Sequence, residues 1–67
     1  MQWINLEDEH GKQKPKGELE KLVPENSGWY IVHTRTSMGN IHRLDCHWNG
    51  KHWHCTNQIV IKWLKEN

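Results

Sequence analysis

The chain reads as a mostly β domain, a small antiparallel meander of three to four strands with an N-terminal arm packed on the sheet. Three observations point there. The run "WYIVHTRT", Trp29 to Thr36, is dominated by β-branched and aromatic residues and lacks Pro and Gly. Asn49-Gly50 is the strongest short hairpin signal, because both central residues of a type I′ turn need φ > 0. A third run, "QIVIKWL" from Gln58, is again rich in β-branched residues. With 67 residues the chain is a single domain, 1–67, and one this short buries only about 60% of the surface its unfolded chain exposes. Phe is absent, so five Trp and one Tyr, with Ile, Leu and Val, have to fill the core.

Taken in order, "QWINL" at 2–6 alternates apolar and polar positions and fits a short strand or an anchored arm. Residues 9–20 are nearly all polar, punctuated by Gly11, Pro15 and Gly17, and are expected to form a flexible inserted loop. "GELEKLVPE" allows one helical turn before Pro24, and "PENSG" is a turn cluster. The strand from Trp29 is followed by "SMGN", with Gly39 free to take a positive φ. "IHRLDCHW" then leads into Asn49-Gly50, and "KHWHCTN" returns.

A two-residue loop at Asn49-Gly50 fixes register. Trp48 then faces Lys51, His47 faces His52, Cys46 faces Trp53 and Asp45 faces His54. Alternation sorts the hairpin into two faces. One holds Leu44, Cys46, Trp48, Trp53 and Cys55, and packs. The other holds Arg43, Asp45, His47, His52, His54 and Thr56, and meets water or a partner.

This sort weighs against a mixed Cys/His zinc site, whose ligands must converge on one centre. Asp45, His47, His52 and His54 form the alternative metal set, with Zn²⁺ as the ion, because opposed Cβ atoms lie about 4.5–5.5 Å apart. The plainer reading of that set is a polar sheet face with a cross-strand His pair. In this register the cysteines are diagonal, beyond the roughly 3.5–4.5 Å between Cβ atoms of a disulfide, so free buried thiols are expected. Catalysis has little support: Cys46-His47 and His54-Cys55 point to opposite sides of a strand, whereas a nucleophile and base need hydrogen-bond reach.

The net charge is +1, divided as −2 over residues 1–28 and +3 over 29–67, where five of the six His also lie. So thin a balance makes nucleic acid an unlikely partner by charge alone, although Trp beside Arg35 and Arg43 would suit single strands. No window approaches the roughly 20 apolar residues of a membrane helix. No leader is recognised at Met1, and two reduced cysteines suit a cytoplasmic setting.

"WINLED" at Trp3–Asp8, "LVPENSGWYIV" at Leu22–Val32, "WNGKHW" at Trp48–Trp53 and "IVIKWL" at Ile59–Leu64 resemble domain-of-unknown-function family 551. These are short proteins mostly of bacteriophages and prophages. The chain departs from the pattern by about a dozen residues near Glu9–Glu20 and by a closing segment without the usual prolines. The resemblance implies a small β domain with a tucked N-terminal arm and no known activity. The expected function is therefore a non-enzymatic phage accessory protein. It would meet a host or phage protein, in the host cytoplasm, through the His face with Arg43, His47, His52 and His54, through an exposed Trp or through an open sheet edge, with zinc binding as the alternative.

Overall fold

The computed structural model describes residues Met1–Glu66. They form five strands and one helix: β1 Gln2–Asn5, α1 Lys16–Leu22, β2 Gly28–Thr36, β3 Ile41–Trp48, β4 Trp53–His54 and β5 Gln58–Lys65. All strands lie in one antiparallel sheet of order β1-β5-β2-β3-β4. The mostly β class holds, but the path is not a simple meander. The last strand crosses back to lie between β1 and β2, and the N-terminal arm is a full edge strand, with Trp3 opposite Leu64 and Ile4 opposite Trp63.

Only one face of this sheet is covered. Val32, Cys46, Val60 and Trp63 come from three strands, join Leu6, and form the buried cluster. Leu19, Leu22 and Val23 of α1 and its C-terminal flank pack on it. A seven-residue helix is far below the length that is stable alone. Pro15 at its N-cap offers no side-chain cap, so its support is tertiary. Trp63 supplies part of that support, donating its indole Nε1–H to the carbonyl of Leu22 at 2.7 Å while its ring meets Tyr30 edge-on. Thr34, fully buried, donates its hydroxyl to the Gln58 side-chain oxygen, so its own polar group is paired.

The segment expected to be a flexible loop carries regular contacts. Asp8 accepts at its side chain from the N–H groups of His10 and Lys12, Glu7 bridges to Gln13, and Lys14 N–H donates to Leu6. Arg35 of β2 ties this segment down. Its guanidinium grips both carboxylate oxygens of Glu7 at 2.6 and 2.9 Å and reaches the Gly11 carbonyl at 3.0 Å.

The hairpin corrects two expectations. His47 pairs with His54 and Trp48 with Trp53, so the loop is Asn49–His52, four residues rather than two. The cause is Asn49 itself. Its side-chain oxygen accepts from the N–H groups of Lys51 (2.8 Å) and His52 (2.6 Å), and its own N–H donates to the His52 carbonyl. An Asx turn thus competes with the I′ turn and wins, and Gly50 takes the positive φ of 96° that it requires. The slip of two residues brings Cys55 opposite Cys46, with Cα atoms 6.4 Å apart, and the two form a disulfide rather than free thiols.

Candidate functional site

Because strand side chains alternate, the odd-numbered residues of β2 and β3 form the face that α1 leaves uncovered. Trp29, Ile31 and His33 stand across from His47, Asp45 and Arg43 respectively. On the other side of β2, Lys62 of β5 stands opposite His33, and β1 adds Trp3 beyond it. A register irregularity between His33 and Thr34 lets β5 present Lys62 outward while Val60 and Trp63 both stay in the core.

Two groups of side chains result. In the first, the Trp3 ring packs on the His33 imidazole with centroids 4.5 Å apart and the planes tilted by 39°. The Arg43 guanidinium and the Lys62 ammonium each lie 5.7 Å from the centre of that indole, within cation–π range. Desolvation by burial, and then the positive charges of Lys62 and Arg43, hold the His33 pKa below its ordinary value. In the second, Trp29 lies edge-on to His47 at 5.2 Å, and His47 edge-on to His54 at 5.7 Å. Trp29 is nonetheless 72% exposed.

The expected site residues divide between these groups and the turn. Arg43 joins the Trp3 group, while His47 and His54 face each other in the second. His52 does not join them: the four-residue loop places it in the turn, where its backbone is bound to Asn49. Asp45 keeps to the same face but lies opposite Ile31, and the His54 ring meets the Asn49 side chain at 3.0 Å instead. Among the described residues no three His, Cys, Asp or Glu side chains lie close enough to hold a metal ion.

Nothing matched. Family models, curated proteins and solved structures all failed to pair with this chain, so the resemblance to family 551 gains no support from them.

His33 and Lys62 are the residues that sequence reasoning left out; Trp3 and Trp29 read most simply as core, with any exposed Trp as a contact anchor, and Trp29 is the exposed one. The alternation of Trp29, Ile31, His33 and Arg35 against Tyr30, Val32 and Thr34 was a usable signal for β2. The meeting of Trp3 with His33 was not legible, because it depends on β5 lying between β1 and β2. A groove of about 790 Å³ lies between α1 and the hairpin, lined in part by Trp48, Trp53 and Lys51. The indole nitrogens of Trp48 and Trp53 are buried without a hydrogen-bond partner among the described residues, and neither is exposed to that groove.

Among the described residues no helix is long and apolar enough to cross a membrane. The expectation of a reducing compartment rested on free thiols, and the Cys46–Cys55 bond takes that support away.

Proposed function

We propose that this chain is a non-enzymatic binding module whose working surface is the uncovered face of the sheet. One observation carries the reading. A domain so short has a marginal core, yet it leaves Trp29 in water on a face that also carries Trp3, three imidazoles and two cations. An exposed large apolar side chain forgoes on the order of 2 kcal/mol of burial, and Trp and Arg are the residues most enriched where partners bind. The non-enzymatic part rests on chemistry: both thiols are bonded to each other, and the imidazoles of this face pair with rings and amides rather than with a hydroxyl or thiol. A phage or prophage accessory role, acting in the host cytoplasm, rests on the motif resemblance alone.

The test is site-specific photocrosslinking in cells, with benzoylphenylalanine at Trp29 and, as a control, at Glu20 on exposed α1. Capture of a defined protein or nucleic acid from the Trp29 position and not from Glu20 is the expected result. Equal capture from both positions, or from Glu20 alone, overturns the reading.

A further inference from the structure

Resting on that reading of the uncovered face, we infer that its ligand is single-stranded nucleic acid, held by stacking on Trp29 and by phosphate contacts to Arg43 and Lys62. Three features carry this. The first is a largely exposed indole on the uncovered face. Trp29 is 72% exposed, with His47 in a T-shaped contact at 5.2 Å. Every base has a π-face, and stacking on an aromatic side chain is the sequence-tolerant part of single-strand binding.

The second is charge complementarity. Arg43 and Lys62 come from different strands and converge over one indole, Trp3. Among the described residues no carboxylate pairs with either: Asp45 shares their face but stands opposite Ile31, and the Glu7 carboxylate is taken by Arg35. His33 lies under the same indole, and the positive charges of Lys62 and Arg43 both act on it, after desolvation, to lower its pKa. The third is spacing. Trp29 and His33 are four residues apart on β2, about 13 Å at a strand's rise. That is the reach of a few nucleotides, so one short strand can lay a base on Trp29 and a phosphate between Arg43 and Lys62.

Duplex does not fit the same surface. Stacking on Trp29 needs an open base face, and base faces inside a duplex are already stacked on their neighbours. A net charge of +1 leaves little room for a large electrostatic share of the affinity. With two phosphate contacts, the slope of log K against log salt is about −1.4, using roughly 0.7 per phosphate for single strands. Most of the affinity comes from stacking.

The experiment is fluorescence anisotropy with 5′-fluorescein dT12 and rU12, a 12-base-pair duplex and a labelled polyglutamate peptide, over a range of KCl from 20 to 200 mM; these probe lengths are about the site size of a small single-strand module. The single strands are expected to bind, and the duplex and polyglutamate to bind at least about tenfold more weakly. Trp29→Ala weakens single-strand binding about tenfold, the low end of what loss of one stacked base costs. Arg43→Gln with Lys62→Gln flattens the salt slope toward zero, while Lys16→Gln with Lys21→Gln on α1 changes nothing. Circular dichroism of each variant confirms that the sheet is intact. No binding to either single strand at low salt overturns the inference. Equal binding of polyglutamate overturns it too, as does equal weakening by the α1 variant. Should Trp29 crosslink a protein in cells while dT12 and rU12 do not bind, the nucleic-acid inference falls and the face survives as a protein-binding surface. Should nothing crosslink and nothing bind, both fall.

Discussion

Val32 and His33 are neighbours on β2 and live in different media. Val32 is fully buried among Leu6, Cys46, Val60 and Trp63, while His33 stands on the open side beneath Trp3 with two cations beside it. The same alternation divides the indoles: Trp48 and Trp63 are about 95% buried, and Trp29 is 72% exposed. The covered face does what a core does, giving up water and fixing register. The uncovered face uses the same residue types without closing over them. Indoles in the first set should therefore govern stability, and those in the second should govern binding.

The largest expected effect breaks the covered side. Trp63→Ala removes a buried ring, its contact with Tyr30 and the indole bond that holds the end of α1. Loss of a buried Trp costs about 3–5 kcal/mol, comparable with the whole stability of a domain near the low end of the ordinary range. Far-ultraviolet circular dichroism at 25 °C should show the variant largely unfolded; a cooperative melt within a few degrees of wild type would refute the assignment of Trp63 to the core.

Next comes the crosslink that the four-residue turn creates. The Cys46–Cys55 bond closes a loop with a sequence separation of 9, and chain-entropy arguments give a loop of that size about 2.5 kcal/mol. Purified protein should show no free thiol by Ellman titration without reductant, and dithiothreitol should lower the melting temperature by many degrees. Two free thiols in the untreated protein would instead restore the sequence expectation.

How the sequence went right on the faces and wrong on the register is instructive. Side chains repeat every two residues along a strand, so a slip of two keeps each residue that stays in a strand on the face assigned to it, and only Lys51 and His52 pass into the turn. Trp48, Cys46 and Trp53 stay inward, and His47 and His54 stay outward, although each strand partner changed. What the two-residue reading missed was a competition within one side chain. Asn49 suits a I′ turn, but its amide oxygen also accepts from Lys51 and His52 and lengthens the loop. Cys46 and Cys55 meet only because of that choice. The strand order was out of reach for another reason. β1 and β2 do not pair, and nothing local in "QIVIKWL" says that it will lie between them. The cluster of Trp3, His33, Arg43 and Lys62 depends on that non-local pairing. The pair Trp29 and His47 depends only on β2 meeting β3.

A middle-sized effect tests the seam between the two sides. Arg35 leaves the open face at its far end and fastens the Glu7–Gly11 segment with two oxygens of Glu7 and one carbonyl. Its side chain is 36% exposed and that of Glu7 is 12% exposed, so screening reduces the pair's value, and Arg35→Ala should cost about 1 kcal/mol. The loss is expected in urea denaturation and should shrink when Glu7→Gln is already present. Trp29→Ala, by contrast, should change stability by less than about 0.5 kcal/mol, since the side chain it truncates is mostly in water already. A cost as large as that of Trp63→Ala would erase the distinction between the two faces.

The smallest effect is read as a difference of slopes. His33 has its pKa lowered in the folded chain by burial and by Lys62 and Arg43, against 6.5 when unfolded. The folded form therefore binds this proton less readily than the unfolded form. Above 6.5 neither state carries it and His33 contributes no pH dependence. As pH falls through 6.5 the unfolded chain takes up the proton first, so stability declines until the folded-state value is passed and then levels off. His33→Gln keeps a planar polar group under Trp3 and removes the titration. Urea midpoints measured from pH 8 to pH 5 should fall less steeply for this variant than for wild type. Trp3→Ala should act in the same direction by giving His33 back to water, which reduces the desolvation that is the largest cause of the shift. Identical slopes for wild type and His33→Gln would mean that the imidazole does not feel the two cations, and the picture of an electropositive patch on the uncovered face would lose its thermodynamic sign.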